Sequence, residues 1–307
     1  MPESRAPSRR LSAEYFGAER DFWWNDDFVA LMARRLHLRS ARHALDVGCG
    51  VGHWGRTLLP YLRASARVTG VDRQRQWVRR ATTIAIKRGI GDRVNYKYGL
   101  AESLPFADGS FDFVTCQTLL IHVADPARVL AEMLRVTRPC GQVLLVEPNN
   151  LAAALVYGST VATISNTKRV QLVRLQSTCE RGKAVMGEGN DSIGDLVPGL
   201  LLEAGAVDIR VYLSDCASPL VPPYVDAAQQ AFRDQLLDWA RRGYWLWERY
   251  DAQRYFAAGG GTAATFERYW SIAISYLDQI ANDLLRGTYH SAGGGIMYLV
   301  SGRRTDS

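Results

Sequence analysis

Three glycines at every second position follow a short apolar run near the start of the chain. The run covers residues 45–47, Gly48, Gly50 and Gly52 come next, and a helical pattern begins at His53. Because glycine accepts a positive φ and has no side chain, such a turn lets the backbone approach a ligand closely. The following helix directs unpaired N–H groups and a partial positive charge at the same place. The pattern is typical of a site for a nucleotide-like cofactor.

A carboxylate stands where such a cofactor would need one. Asp72 ends the next apolar run, residues 67–72, about 20 positions after the glycines, at the distance expected for a ribose-binding acid. It can accept hydrogen bonds from both ribose hydroxyls, and it could also cap the helix that follows. Residues 50–55 satisfy the dinucleotide fingerprint GxGxxG as well. That alignment would leave the Asp46 carboxylate inside a buried strand without a partner. We therefore favour the alignment in which Asp46 lies at the strand end and the glycine pattern begins at Gly48.

Three segments together resemble one enzyme family. ALDVGCGVGHWG at 44–55 resembles motif I, D-x-G-x-G-x-G, of the class I S-adenosylmethionine-dependent methyltransferases. GLAESLPF at 99–106 resembles the G-D-A-E-x-L-P-F segment of its UbiE-like branch, also called methyltransferase type 11, and DGSFDFV at 108–114 resembles D-x-S-F-D-x-V. The resemblance covers residues 41–150. It implies S-adenosyl-L-methionine as the cofactor and in-line transfer of its methyl group to a nucleophile.

The resemblance also implies which residues hold the cofactor. They are Asp46, Gly48, Cys49, Gly50, Gly52, His53, Trp54, Asp72, Arg73, Ala101, Glu102, Gln117, Thr118 and His122. His53 is expected near the carboxylate of the cofactor, and Gln117 and Thr118 beside its methionine part. Leu100 occupies the position at which the family has an acid that meets the adenine amino group. We therefore expect adenine to pack against Leu100 and the backbone of Ala101, with Glu102 as a substitute acceptor.

Histidines are the first candidates for a catalytic base. Methyl transfer depends mainly on alignment, but a hydroxyl, a thiol or a protonated amine must also lose a proton. His122 follows the fourth predicted strand, where the ligand crevice of a parallel sheet opens, although it could instead position a loop. His290 is the second candidate. The five cysteines show no paired spacing, so we expect neither a metal site nor a disulfide framework.

Alternating strand and helix patterns over residues 44–150 predict an α/β fold with a doubly wound parallel sheet. The resemblance extends this to a Rossmann-like, seven-stranded, mostly parallel sheet with an antiparallel last strand and helical lid insertions. We expect an N-terminal helical segment at 1–40, the cofactor-binding core at 41–150 and a helical insertion at 151–192. A core helix and strand 6 follow at 193–214, an aromatic-rich lid at 215–290 and the closing strand at 291–303.

The lid carries a dense aromatic cluster, YWLWERY at 244–250. Together with the N-terminal Tyr15, its Tyr244, Trp247 and Tyr250 are expected to line the substrate pocket. Such a cluster could wall a pocket for an aromatic or polycyclic acceptor, or it could enclose a cationic amine. We expect a small-molecule acceptor with an O, N or S nucleophile, such as a specialised metabolite.

The charge pattern leaves a nucleic acid open as an alternative acceptor. The net charge is +6, and a basic cluster is formed by Arg73, Arg75, Arg79, Arg80, Lys87 and Arg88. We favour a solvated helix face, because no aromatic-interleaved or loop-borne basic motif accompanies the cluster. A nucleic-acid methyltransferase is further disfavoured because the D/N-P-P-Y motif typical of exocyclic-amine methylation is absent after strand four. An RNA or peptide methyltransferase, a non-catalytic cofactor-binding protein and an NAD-dependent oxidoreductase remain alternatives. With neither a signal peptide nor a membrane span in the pattern, we expect a cytoplasmic monomer or homodimer.

Overall fold

A single seven-stranded sheet organises the computed structural model, which describes residues 18–153 and 158–306. The strands are β1 (His43–Val47), β2 (Arg67–Asp72), β3 (Val94–Tyr98), β4 (Phe111–Gln117), β5 (Thr137–Asn149), β6 (Val207–Leu213) and β7 (Ile296–Arg303). Their order is β3-β2-β1-β4-β5-β7-β6, and the first five are parallel. β7 runs antiparallel to both β5 and β6. The predicted Rossmann-like sheet is confirmed.

Helices cover both faces of this sheet. They are α1 (Asp26–Arg35), α2 (His53–Leu58), α3 (Arg75–Lys87), α4 (Pro126–Val136), α5 (Asn150–Ala153), α6 (Asn166–Val185), α7 (Val197–Glu203), α8 (Ala227–Arg242), α9 (Arg249–Ala258) and α10 (Ala263–Arg286). Alternate residues of a strand serve opposite layers. Leu45 and Val47 pack with the residues of α4 and α7, whereas Ala44 packs with those of α1 and α2. Both faces of the central strands are therefore buried, which explains their nearly continuous apolar sequence.

A third apolar cluster belongs to the helices that the sequence places outside the core. It joins α6, α9 and α10 through residues such as Leu175, Tyr255 and Trp270. Side chains of α6 and α9, together with side chains of α8, line a cavity at the carboxyl ends of β4 and β5. Within the part of the chain that the structure describes, no helix is both long and apolar enough to cross a membrane.

Two elements of the core are irregular. The core helix expected at the start of segment 193–214 is divided into a 3-10 turn, Ile193–Leu196, and α7, because Pro198 lies in the first turn of α7, where its missing N–H costs nothing. β5 begins with the segment 137–141, and it pairs with β4 from Thr137 onward. Cys140 there has a φ of 55°, and the register of the pair shifts between Phe111 and Phe113.

Candidate functional site

The glycine turn follows β1 and passes close to two neighbouring segments. Gly48, Gly50 and Gly52 have φ angles of 68°, 52° and 76°. A Cβ on Gly48 would lie 2.6 Å from Cδ1 of Leu119, and one on Gly52 would lie 2.1 Å from the Tyr96 hydroxyl oxygen. The turn therefore requires glycine for its backbone conformation and for its packing. Gly48 and Gly50 line a crevice above β1 and β2, whereas Gly52 packs under Tyr96 and does not line it.

Asp72 lies at the end of β2 and holds both the glycine turn and the start of α3. Its Oδ2 accepts the Gly50 N–H at 2.9 Å, and its Oδ1 accepts the Gln74 N–H at 2.7 Å. The side chain is nearly buried, and this burial raises its pKa. Because a carboxylate has about four acceptor positions, two remain for hydroxyl groups of a ligand in the crevice. The helix-start role and the proposed ligand role of Asp72 are thus compatible.

Three buried polar atoms in the crevice wall have no hydrogen-bond partner within the described residues. They are Asp46 Oδ1, His53 Nδ1 and Gln117 Nε2. Asp46 is held in place through its other oxygen, which accepts the Gly55 N–H at 3.0 Å, and burial raises its pKa to about 7. A buried polar atom without a partner costs free energy unless a ligand or water satisfies it. These atoms therefore suit a ligand with both donors and acceptors.

The crevice also contains a cation that the sequence did not single out. Arg20, in the 3-10 turn Ala18–Phe22, lines it beside His53. Burial and the nearby charges of Arg20 and Arg56 lower the pKa of His53 to about 4, so its imidazole is neutral at pH 7. Arg20 is thus the group that can meet the carboxylate of an amino-acid ligand. No motif marks it, because its position depends on how the N-terminal segment crosses the glycine turn.

Leu100, which was expected to pack against adenine, does not lie in the crevice wall. That side chain is 45% exposed and does not line the crevice, so adenine packing against it is not supported. Ala101 and Glu102 do line it, as expected, and so does Trp77, which sequence analysis missed. Trp77 is buried on α3 and belongs to a helical pattern that looks like ordinary core.

The remaining cofactor candidates also lie in or beside this crevice. Cys49, Trp54, Arg73, Thr118 and His122 line it. Trp54 is almost fully buried, and its Nε1 donates to Thr115 Oγ1 at 2.9 Å, so it supports the floor of the crevice.

A second cavity of about 400 Å³ opens next to the crevice, between the sheet and the lid helices. Its aromatic residues include Trp23, Trp24, Trp239, Tyr244, Trp247 and Tyr255. Thr118 and His122 line both cavities and therefore lie at their junction. A group transferred from a ligand in the crevice to a ligand in the large cavity would pass beside these two residues.

Besides Gly52, two predicted site residues within the described part of the chain, Tyr250 and His290, lie outside both cavity walls. Tyr250 is 54% exposed on the outer side of α9. His290 is exposed, and its backbone N–H donates to Ser159 Oγ at 3.0 Å. Both expectations failed because they came from closeness in sequence to an aromatic cluster or a lid end, which does not determine the direction of a side chain. Tyr15 lies outside the described residues.

The turn that carries His122 is held from two sides. Oε1 of Glu147, on β5, accepts the N–H groups of Leu119 at 2.9 Å and Leu120 at 2.8 Å. From α6, Lys183 Nζ donates to the Ile121 carbonyl at 3.0 Å. His122 thus belongs to a 3-10 turn, Leu120–His122, that is attached to both the core and the lid. Among residues 18–153 and 158–306, no group of three or more His, Cys, Asp or Glu could hold a metal ion.

Comparison with known proteins defines the class of this domain. Residues 45–145 match the family described as a methyltransferase domain. The glycine turn and the acidic end of β2 described above lie within this match. Over these residues the chain is similar to methyltransferases, which agrees with the resemblance to class I S-adenosylmethionine-dependent methyltransferases that the sequence motifs indicated.

Relatives of similar sequence match less than half of this chain. An uncharacterized methyltransferase of Bacillus subtilis, YcgJ, is 34% identical over 136 residues, which cover 44% of this chain and 52% of the relative. The 27-O-demethylrifamycin SV methyltransferase of Amycolatopsis mediterranei is 33% identical over 137 residues, covering 40% and 48%. The chain thus matches about half the length of the curated relatives. The crystal structure of YcgJ superposes with a TM-score of 0.50 and 18% identity, over 92% of this chain and all of that one, which shows a shared fold.

Proposed function

We propose that this chain transfers the methyl group of S-adenosylmethionine to a small-molecule acceptor. The crevice holds the cofactor and the adjacent cavity of about 400 Å³ holds the acceptor. The observation that carries the proposal is the set of unpartnered buried atoms on Asp46, His53 and Gln117, which line the crevice beside the Asp72 carboxylate. Together they offer donors and acceptors for a ligand that contains a ribose and an amino acid.

Each part of the proposed ligand has a partner in the crevice. Asp72 accepts the ribose hydroxyls, and Arg20 pairs with the amino-acid carboxylate. Ala101 and Trp77 pack against the adenine ring, and Glu102 is placed to accept from its amino group. The cofactor supplies an electrophilic methyl group on a sulfonium. The protein then has to align the acceptor with that group and exclude water, which orientation alone can favour by about 7–11 kcal/mol.

His122 is our candidate for the group that removes a proton from the acceptor. It lines both cavities, so it is near any atom that faces the cofactor from the acceptor side. Histidine has an ordinary pKa close to physiological pH, which suits a general base. Its turn is fixed by Glu147 and Lys183, so its position does not depend on the acceptor.

The proposal is tested by measuring the affinity for S-adenosylhomocysteine by isothermal titration calorimetry. We expect binding to the wild-type protein and a loss of roughly a hundredfold for Asp72→Ala, because two hydrogen bonds to a charged acceptor disappear. Asp92→Ala, which changes an exposed carboxylate, is the matched control and should bind normally. A wild-type protein that does not bind, or an Asp72→Ala protein that is stable in urea and binds undiminished, would refute it.

A further inference from the structure

The acceptor cavity has features that define the chemistry of its ligand, given the function proposed above. Its volume of about 400 Å³ is within the range of pockets that enclose drug-sized molecules. Indole and phenol rings, together with Phe232 and Met297, form much of its wall. Flat aromatic surfaces bind planar apolar groups favourably. An acceptor as small as an amino acid or a simple alcohol would leave most of this space unfilled.

The carboxylates of the cavity wall are already engaged by the protein. Glu248 accepts from Arg242 at 2.8 Å, and Asp251 accepts from Arg254 at 3.0 Å. Glu180 accepts from Gln176 and Ser192. These acids therefore have protein partners, as does Asp191, the fourth carboxylate of the wall, and two of the four pair with an arginine. An ammonium ligand would have to compete with these partners.

Arginines lie over three of the aromatic rings that belong to the cavity wall. The guanidinium of Arg20 lies 5.0 Å from the centre of the Trp23 ring. Arg242 lies 5.4 Å from the Tyr244 ring, and Arg254 lies 5.9 Å from the Tyr255 ring. A ring that already binds a cation offers less cation–π attraction to a second one, and two nearby cations repel each other. The charges of Arg20, Arg242 and Arg254 therefore disfavour a cationic amine at these three rings.

One buried cation in the wall retains a donor for a ligand. Lys183 is 2% exposed, and its Nζ donates to the Ile121 carbonyl at 3.0 Å and to Asp191 Oδ1. Asp191 is held on its other side by Trp247, whose Nε1 donates to Oδ2 at 3.1 Å. An ammonium group has three N–H donors, so one remains after the two contacts found among the described residues. Because Ile121 precedes His122, this donor lies beside the junction of the two cavities.

We propose that the acceptor is a planar, largely apolar molecule with an acidic hydroxyl, a phenol or an enol, and that Lys183 donates a hydrogen bond to its oxygen. A buried ammonium favours the ionised form of such an oxygen, which is the nucleophilic form. The aromatic wall binds the body of the molecule, and Lys183 places its oxygen next to His122. Asp191 and Trp247 keep the ammonium in position.

The test uses the full chain with saturating S-adenosylhomocysteine and the phenol 7-hydroxyflavone as the probe. Its absorbance reports whether the bound hydroxyl is ionised, and quenching of tryptophan fluorescence reports binding. We expect the apparent pKa of the bound phenol to be lower than in solution. In Lys183→Met this shift should disappear, and the affinity should fall roughly tenfold to a hundredfold, the effect of one charge-assisted hydrogen bond. Lys183→Met should bind 7-methoxyflavone, which has no ionisable hydroxyl, nearly as tightly as the wild type does.

Removing one partner of a buried ion pair can unfold a protein, so the double variant Lys183→Met/Asp191→Asn is tested in parallel. Lys168→Met makes the same change at an exposed position of α6 and should behave as the wild type. The proposal would be overturned if the folded double variant lowered the apparent pKa of bound 7-hydroxyflavone as much as the wild type does. It would also be overturned if the wild type bound choline more tightly than 7-hydroxyflavone. If S-adenosylhomocysteine binds but the flavone does not, only this inference fails. If S-adenosylhomocysteine does not bind either, the proposed function fails with it.

Discussion

Asp46 and Glu147 are carboxyl side chains with almost no exposed surface, and both hold loops at the carboxyl edge of the sheet. Asp46 accepts the Gly55 N–H, and Glu147 accepts those of Leu119 and Leu120. Burial raises the pKa of each to about 7, because the charged form loses hydration that the backbone donors replace only in part. The two loops that meet at the proposed site are therefore attached to acids that titrate near physiological pH.

The raised pKa of Glu147 predicts a pH-dependent stability. The folded protein binds this proton more tightly than the unfolded chain, so the stabilisation is fully present below about pH 4 and is lost as pH rises through about 7. Glu147→Gln removes this dependence and keeps an oxygen for the two N–H groups. Relative to the wild type, its free energy of unfolding should rise by on the order of 3 kcal/mol between about pH 4 and pH 8. Urea titrations measure this difference.

The exposed Glu203 provides the control for that experiment. Glu203→Gln should follow the wild type across the same pH range. If the free energy of unfolding of Glu147→Gln and of the wild type changed in parallel with pH, Glu147 would have the same pKa in the folded and unfolded protein. That result would contradict the prediction.

At the scale of elements, α6 and α9 pack so closely that their backbones are in contact. A Cβ on Gly182 would lie 1.6 Å from the Tyr255 carbonyl oxygen, and one on Gly259 would lie 2.0 Å from that of Thr178. Cys179 adds a hydrogen bond from its Sγ to the Ala252 carbonyl, at 3.4 Å. Lys183 lies one residue beyond Gly182, so this contact places the proposed ligand-binding ammonium opposite Tyr255 in the cavity wall.

Gly182→Ala should therefore separate α6 from α9. We expect a loss of about 1–3 kcal/mol in the free energy of unfolding and weaker binding of 7-hydroxyflavone, with the affinity for S-adenosylhomocysteine retained. Gly199→Ala, in α7, is the matched control, because a Cβ there meets nothing within 4 Å. It should be neutral or stabilising by about 0.4–1 kcal/mol. Equal behaviour of the two variants in urea and in calorimetry would contradict the close packing.

At the scale of the molecule, the excess of positive charge is separate from the acceptor cavity. Arg75, Arg79 and Arg80 are exposed on α3, and none of them lines that cavity. Arg75 lies over the Tyr98 ring at 4.2 Å. The helix thus presents these charges to solvent near the sheet edge that β3 forms.

We predict that the protein does not retain bulk tRNA at about 0.15 M salt. The Debye length is then roughly 8 Å, so attraction that depends on net charge alone is weak. Electrophoretic mobility shifts measure this. The triple variant with Gln at 75, 79 and 80 should bind S-adenosylhomocysteine like the wild type. A salt-sensitive shift that the triple variant loses would favour the RNA methyltransferase alternative.

Local sequence patterns were sufficient for the cofactor half of the molecule. The apolar run at residues 67–72 coincides with β2, because such a run is a local property of the sequence. The glycine turn and Asp72 could be identified because the φ angles and the strand end are set by neighbouring residues. The family match over residues 45–145 covers this same region.

Only the tertiary structure brought together the groups that surround the acceptor cavity. Lys183 and Asp191 belong to the insertion, Trp247 to the lid and His122 to the core. No spacing in the sequence relates them, because their meeting depends on the packing of α6 against α9 and against the turn after β4. Side-chain direction outside regular strands follows from such contacts, which is why Tyr250 and His290 were expected at the site and lie elsewhere. The residues alone determined the glycine turn and the crevice beside it, because their conformation is set by near neighbours, and the long-range packing determined the adjacent cavity.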